Sequence, residues 1–222
     1  VKVQRPGIDK SFLKDIETYE WAAAHVESLG GEIARLRPRL TIANFKRWTL
    51  RELDLRREAA SASALADAMK AVDHYVVPAI DWDRTSGKVL TLDWVDGIKI
   101  SKVEELKAAG HDLPLIASRL VNAFLRQAIS EGFFHADMHQ GNLFVMDDGT
   151  IAAIDFGIMG RINRQARFWL AEILYGLITG NYQRVAEIHF EAQYVPDYHD
   201  VGEFATALRA VGEPIRGVPV KD

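Results

Sequence analysis

The 222-residue sequence contains no cysteine, so it can form neither a disulfide framework nor a cysteine-ligated zinc site. It also lacks any apolar run that approaches the roughly 18 residues needed to cross a bilayer, and we expect the chain by itself to be soluble. A basic excess is missing as well: the net charge of −4 does not favour nucleic acid as a partner. What remains is a chain that is 48% hydrophobic, enough to build one two-lobed domain or two small domains.

Glycine-rich fingerprints of Walker or dinucleotide-binding loops are absent too, which argues against the commonest nucleotide-binding folds. Instead, hydrophobic periodicity predicts an order of strand, two helical stretches, strands, and then mostly helix with one late hairpin. This order indicates an α+β fold and not a regular βαβ alternation. The first-half elements are a strand at 1–3, helices at 9–30 and about 42–69, and strands at 76–77 and 88–94.

The second half is predicted to be mainly helical. An amphipathic helix spans Leu115–Ser130 and ends at Gly132, and further helices cover about Gln165–Thr179 and Tyr182–Ala192. The tail after Tyr194 contains three prolines, and we expect it to be irregular.

The most informative segment runs from His135 to Gly157, where Asp148-Gly149 lies between two apolar runs. This pattern predicts a β-hairpin. If the turn is centred on Asp148-Gly149, paired residues have numbers that add up to 297 (148 + 149), which sets Asn142 opposite Asp155 with Cα atoms roughly 5 Å apart.

An amide oxygen and a carboxylate at the open end of a hairpin suit Mg²⁺, which takes few protein ligands when phosphates supply the others. Asp137, on the loop just before Asn142, could then orient or deprotonate an attacking hydroxyl. The order Asp-x4-Asn, hairpin, Asp155-Phe156-Gly157 is the catalytic layout of protein-kinase-like folds, which use ATP and Mg²⁺.

Two other interpretations of this segment compete with the kinase-like one. The motif residues could be ordinary turn and loop caps. Alternatively, His135, Asp137 and His139 could be the ligands of a metal hydrolase. We expect instead that His135 packs beneath the loop and that His139 lies near the site without a fixed role.

A kinase-like site also needs a lysine on the phosphates and a helix glutamate that holds it. Lys2, between two valines in a strand, is the candidate lysine, although a solvent-facing strand lysine would look the same. Glu58 precedes two alanines and could approach a strand closely, while Glu52 and Asp54 lie about two turns and one turn earlier. A solvated helix face is the alternative for all three acidic residues.

Taken together, these motifs resemble the UbiB/ADCK family of atypical kinases. The resemblance covers the chain from Val1 to about Gln193 and rests on four segments: 1–7, 52–60, 135–142 and 155–157. It implies a protein-kinase-like, two-lobed α+β fold. The expected division is a partial, small mixed N-lobe with inserted helices at 1–95 and a mainly helical C-lobe at 96–222, which carries the catalytic loop and the hairpin.

The resemblance also implies a role for each motif residue. Lys2 is similar to the family's phosphate-contacting lysine and Glu58 to its helix partner, while Glu52 and Asp54 match the Glu-x-Asp pair. Asp137 resembles the catalytic aspartate, and Asn142 and Asp155 resemble the Mg²⁺ ligands. The hinge that meets adenine through backbone groups is matched by Leu92, Asp93, Trp94 and Val95.

Members of that family support ubiquinone biosynthesis, act as unorthodox kinases or ATPases, and associate with membranes. The resemblance therefore implies quinone-biosynthesis proteins or lipid and quinone precursors as partners. It also implies peripheral attachment of the full-length bacterial protein to the cytoplasmic side of the inner membrane. The family's Lys-x-Gly-Gln segment and alanine-rich nucleotide loop would precede Val1, and apolar helices would follow Asp222, so we expect a fragment of a longer protein.

Two further functions stay open. One is a small-molecule phosphotransferase of the aminoglycoside or choline kinase type, which shares the His-x-Asp-x4-Asn pattern. Such enzymes, however, carry Asp-x-Asp or Asp-x-Glu at the position where this chain has Asp155-Phe156-Gly157. A nucleotide-sensing scaffold would bind ATP with little turnover. A typical protein kinase is disfavoured, because the path from Gly157 to the next helix is short and no Ala-Pro-Glu follows it.

Overall fold

The computed structural model describes residues 1–28 and 36–217. The end predicted at residue 30 for the first helix lies outside these described residues. The α-helices are α1 (Ile8–Ser28), α2 (Pro38–Glu52), α3 (Leu55–Met69), α4 (Val103–Ala108), α5 (Leu113–Leu125), α6 (Arg164–Thr179), α7 (Tyr182–Glu191) and α8 (Val201–Gly212). The strands are β1 (Lys2–Val3), β2 (Tyr75–Val76), β3 (Val89–Leu90), β4 (Ile98–Lys99), β5 (Phe133–His135), β6 (Leu143–Val145), β7 (Ile151–Ala153) and β8 (Met159–Arg161).

The single helical stretch expected at about 42–69 is in fact two helices, α2 and α3, and the break lies at Leu53-Asp54. Asp54 has an extended backbone, with φ −95° and ψ 98°, and its carboxylate accepts the amide hydrogen of Arg56 at 3.2 Å. An aspartate in this conformation is a strong N-cap, so it starts a new helix where leucine, arginine and glutamate would otherwise let the old one continue.

Two sheets position the candidate site. The predicted strand at the start of the chain is present as β1, which pairs antiparallel with β3 and places Lys2 opposite Leu90. The other sheet has the order β2-β7-β6-β4, with β2 parallel to β7 and the remaining pairs antiparallel. Its central hairpin is deeply buried, since Val145, Ile151 and Ala152 have no exposed surface. The hairpin is therefore a fixed part of the core.

The hairpin is present as predicted, but its register is not the predicted one. Leu143 pairs with Ala153 and Val145 with Ile151, so paired numbers add up to 296 (143 + 153) and not 297. The amide of Gly149 bonds to the carbonyl of Met146 at 2.8 Å, and Gly149 has φ 75°. The loop therefore has three residues and ends on a left-handed glycine, a common hairpin type. Asn142 consequently lies opposite Ile154, one residue before Asp155.

The chain separates into two compact units. The first contains Val1–Leu120 and His135–Met159, and the second contains Val121–Phe134 and Gly160–Asp222. The helix predicted to end at Gly132 does so: α5 continues as a π-helical segment, Arg126–Glu131, and Gly132 has φ 66°. The boundary between lobes at residue 95 stays a prediction.

The prediction that the chain is irregular after Tyr194 is wrong, because residues Val201–Gly212 form helix α8. Asp200 caps it by accepting the amide hydrogen of Glu203 at 2.8 Å. Phe204 packs edge-on against His189 of α7, and Ala205 is buried. The Asp-x-x-Glu capping signal was present in the sequence, although the prolines on either side obscured it. Along the described residues, none of the helices combines the length and the apolar character that a membrane crossing requires.

Candidate active site

The side chain of Lys2 joins two of the sequence motifs. Its Nζ donates to both carboxylate oxygens of Glu58, each at 2.9 Å, and to Oδ1 of Asp155 at 3.1 Å. Lys2 and Asp155 are half-exposed, whereas Glu58 is buried. One ammonium group thus links the strand, helix and Asp-Phe-Gly motifs, although 56 and 153 residues separate Lys2 from its two partners.

Helix α3 brings Glu58 to Lys2 because its neighbours on the helix are small. Ala59 is fully buried, and together with Leu55 and Leu90 it forms an apolar cluster against β3. A methyl group at position 59 lets the helix backbone come close to the strand. Since β1 pairs with β3, packing α3 on Leu90 also sets the distance from the helix to Lys2.

Burial affects the pKa values of the two members of the Lys2–Glu58 pair differently. Burial raises the pKa of Glu58 above its ordinary value, and the negative charge of Asp155 adds to this, while Lys2 and the backbone of Phe156 oppose it. For Lys2, burial alone would lower the pKa, but hydrogen bonds and charges from Glu58 and Asp155 outweigh it and the pKa is raised. The cost of desolvation therefore falls on Glu58, and Lys2 is held firmly in its charged form.

This asymmetry predicts a pH effect on stability. A carboxyl group whose pKa is raised by folding stabilises the protein fully below its ordinary pKa of 4.5, and this stabilisation is lost as pH rises through the folded-state value. We expect the difference in free energy of unfolding between the wild type and Glu58→Gln to fall as pH is raised from about 4 to about 8. Urea denaturation of both proteins at each pH measures this difference. The same substitution at the exposed Glu17 is the control. Parallel pH profiles for wild type and Glu58→Gln would contradict the prediction.

Asp155 reaches Lys2 through an unusual backbone conformation. The hairpin's last hydrogen bond runs from the amide of Ile154 to the carbonyl of Asn142 at 2.9 Å, and Asp155 follows it with φ 65°. A left-handed conformation costs a non-glycine residue about 1–2 kcal/mol. Fully buried Phe156, which packs on His135 with ring centroids 5.5 Å apart, anchors the chain directly after it. Strain at a polar residue held by a buried anchor is typical of functional sites.

The loop that carries Asp137 is tied to the hairpin by two side chains. The amide nitrogen of Asn142 donates to the carbonyl of Asp137 at 3.2 Å. The buried ring of His135 accepts the Asp137 amide hydrogen at Nδ1, also at 3.2 Å, while its Nε2 lies 3.3 Å from the carbonyl of Ile154. His135 therefore packs beneath the loop, as predicted, and the half-exposed carboxylate of Asp137 is left facing solvent.

The donors at this site fit Mg²⁺ that is held mainly through phosphates. The amide nitrogen of Asn142 is occupied by Asp137, so the amide oxygen is the atom suited to a cation, and Asp155 contributes a half-exposed carboxylate. Two oxygen donors are too few for a metal cage but are typical of magnesium–nucleotide sites. The part of the chain that the structure describes contains no group of three histidine, cysteine or acidic residues that could hold a metal, which counts against the hydrolase cluster of His135, Asp137 and His139.

The predicted Glu52-x-Asp54 pair lies at the junction of α2 and α3. Asp54 caps α3 and pairs with Arg56 at 2.8 Å, one turn before Glu58. The side chain of Glu52, the last residue of α2, lies outside the described part of the structure. Nucleotide binding by Glu52 and Asp54 stays a prediction.

In the expected hinge, Leu92 forms an isolated bridge with Ile80, and the amide of Asp93 donates to the carbonyl of Ala79 at 2.9 Å. Trp94 is 90% exposed and Val95 is half-buried. Because the Asp93 amide is occupied, adenine would have to use other backbone groups of this segment. Adenine binding by Leu92–Val95 stays a prediction.

Sequence reasoning did not assign a role to Gln4. Its side-chain nitrogen donates to the carbonyl of Leu53 at 3.0 Å, and its backbone nitrogen donates to the carbonyl of Lys88 at 2.9 Å. Gln4 follows β1 directly, and its backbone bond to Lys88 continues the pairing of β1 with β3, so the side chains of Gln4 and Lys2, two residues apart, share a face. Gln4 thus links the residue after β1 to the junction of α2 and α3, in addition to the link that the Lys2–Glu58 pair makes to α3. The strand alternation could have revealed the shared face, but not the partner.

The chain is similar to known proteins over most or all of its length. A model of the ABC1 atypical kinase-like domain matches residues 1–189. A probable protein kinase UbiB from Marinobacter nauticus is 38% identical over 226 residues, an alignment that includes 100% of this chain and 41% of the relative. The chain therefore spans less than half the length of that curated relative.

A solved structure, the complex of Rv3197 with erythromycin from Mycobacterium tuberculosis, superimposes with a TM-score of 0.69 at 22% identity. The match covers 96% of this chain and 54% of that one, and at this identity it shows the fold alone. The predicted kinase-like α+β fold is confirmed, and the chain belongs to the family of ABC1 atypical kinase-like domains.

Proposed function

We propose that this chain is the catalytic part of a UbiB-like atypical kinase or ATPase that binds Mg·ATP and supports ubiquinone biosynthesis. The observation that carries the proposal is the convergence of Glu58 and Asp155 on the ammonium group of Lys2. Kinase-like sites need this lysine–glutamate pair beside the metal-binding aspartate. The identity to a probable protein kinase UbiB supports the pathway.

In this proposal the two contacts of Lys2 have different functions. The pair with buried Glu58 holds the ammonium in place, whereas the contact with Asp155 lies between two half-exposed groups and is readily exchanged. On nucleotide binding, Lys2 would exchange the carboxylate of Asp155 for phosphate oxygens. Asp155 and Asn142 would then hold Mg²⁺, which when bound neutralises charge on the transferred phosphoryl group.

The remaining residues would complete the site. Asp137 would accept the proton of the acceptor hydroxyl, or orient it, from its half-exposed position. The hinge Leu92–Val95 would contact adenine through backbone groups, and Glu52 and Asp54, at the junction of α2 and α3, would contact the nucleotide. For the longer protein we infer peripheral attachment at the cytoplasmic side of the inner membrane and contact with quinone-biosynthesis proteins or lipid and quinone precursors.

Lys2→Met in the chromosomal gene of the source organism tests the proposal. We expect ubiquinone, measured in lipid extracts, to fall several-fold, because phosphate binding needs the lysine charge. Lys88→Met is the matched control: Lys88 lies next to the partner strand and pairs with the exposed Asp9, so ubiquinone should not change. Immunoblots of both variants check protein abundance. Normal ubiquinone in Lys2→Met cells would refute the proposed role.

The purified full-length protein distinguishes the alternatives. ATP hydrolysis that rises with a quinone-precursor phenol or with anionic liposomes would support the UbiB-like function. Phosphorylation of an aminoglycoside or choline would support a small-molecule kinase instead. ATP binding with no detectable hydrolysis or transfer would support a nucleotide-sensing scaffold.

A further inference from the structure

His139 is held in one orientation within the loop between Asp137 and Asn142. Its Nδ1 accepts the amide hydrogen of Gly141 at 3.0 Å, closing a tight turn. A Cβ atom at position 141 would lie 2.7 Å from Cε1 of His139, closer than real Cβ contacts come. Glycine at 141 is therefore what allows the imidazole ring to lie over the turn.

This orientation sets the tautomer of the ring. An N–H group donates into Nδ1, so in the neutral imidazole the proton must be on Nε2. Nε2 lies 3.7 Å from Oδ2 of Asp137. That separation is longer than a hydrogen bond, and catalytic contacts of this kind shorten when substrate binds. A donor on His139 thus faces the carboxylate that would receive the proton.

A turn cap alone does not account for the imidazole. Asparagine or aspartate provides the same acceptor on a shorter side chain and is the usual residue at such positions. Because the side chain of His139 is 57% exposed, its burial contributes little to the stability of the loop. Compared with asparagine or aspartate, histidine adds a second nitrogen, Nε2, which lies near the carboxylate of Asp137.

We propose that His139 is a positioning residue that orients the carboxylate of Asp137 towards the phosphoryl acceptor. The proposal rests on the proposed function. In the reaction, the acceptor oxygen bonds to the γ-phosphorus while the bond from that phosphorus to the β-phosphate oxygen breaks, and the acceptor proton passes to Asp137. His139 donates through Nε2 to the Asp137 oxygen that does not take the proton, and so holds the other oxygen at the acceptor.

Two substitutions in the full-length protein separate the two nitrogens of His139. The asparagine of His139→Asn keeps an acceptor near the Nδ1 position but has no group at the Nε2 position. The glutamine of His139→Gln places an amide nitrogen near the Nε2 position. We expect kcat of His139→Asn to fall about ten- to a hundredfold with KM for ATP and melting temperature unchanged, and His139→Gln to recover most of the loss. His199→Asn, at an exposed histidine in the second unit, should behave as wild type.

The carbon-13 resonance of the Asp137 carboxylate provides a readout that does not depend on turnover. It should shift in His139→Asn and stay near the wild-type position in His139→Gln. Unchanged kcat in His139→Asn, or equal losses in both variants together with lower melting temperatures, would overturn the positioning role. If the wild type binds Mg·ATP but has no turnover, the proposed function fails, and the Asp137 resonance alone then decides for or against His139.

Discussion

Asp155→Asn should abolish the Mg²⁺-dependent rise in melting temperature that ATP gives the wild-type protein. At a ligand concentration about a hundred times the dissociation constant, binding stabilises a protein by about 2.7 kcal/mol, and we expect this gain to disappear. Asparagine keeps the size of the side chain but loses the charge that attracts the cation. It also tolerates the left-handed backbone that Asp155 adopts, with φ 65°, so the variant should fold.

Thermal unfolding with ATP and Mg²⁺, ATP and EDTA, or no ligand measures this effect. Asp147→Asn is the matched control, because Asp147 is an exposed residue in the turn of the same hairpin. It should keep the full Mg²⁺-dependent rise. Undiminished stabilisation of Asp155→Asn by Mg·ATP would show that the nucleotide binds elsewhere or without this metal ligand.

Asp137→Asn should lower turnover by about 10²- to 10⁴-fold while leaving Mg·ATP binding intact. The loop does not depend on the carboxylate of Asp137, because the bonds from Asn142 and to His135 use its backbone carbonyl and amide. The substitution therefore removes a proton acceptor without removing a support of the loop. Single-turnover measurements at saturating ATP, compared with equilibrium titration of the nucleotide, separate the two effects.

The pattern across the two aspartates is the decisive result. Loss of binding with Asp155→Asn and loss of turnover with Asp137→Asn would assign metal binding and chemistry to different residues. Equal turnover in wild type and Asp137→Asn would remove Asp137 from the reaction. If Asp137→Asn also lost nucleotide binding, its role would be structural.

Much of the site could be predicted because its signals are local. A short polar turn between two apolar runs identified the hairpin, and the strand pattern around Lys2 and the alanines after Glu58 identified a pair able to approach each other. The glycine after α5 marked the end of that helix correctly, since a left-handed residue there needs no side chain. Each of these depends on a few neighbouring residues.

The register of the hairpin could not be predicted in the same way. Asp147-Asp148-Gly149 fits a two-residue turn as well as a three-residue loop with a left-handed glycine, and the two differ by one residue in pairing. A shift of one residue reverses the face of each side chain, so the choice depends on how the strands are buried. In the structure β6 and β7 lie between β2 and β4, and that neighbourhood is not visible in the local pattern.

By itself, the sequence determined the order of the motifs, the residue types able to bind phosphate and magnesium, and most of the helices, because composition and periodicity act over a few residues. Only the tertiary structure decided that Asp54 starts a new helix, that Asn142 lies opposite Ile154, and that His139 faces Asp137. It also decided that Lys2 meets both Glu58 and Asp155. The physical reason is clearest for Lys2, whose contacts depend on the packing of Leu55 and Ala59 against Leu90 and on the pairing of β1 with β3, and therefore on residues far apart in the chain.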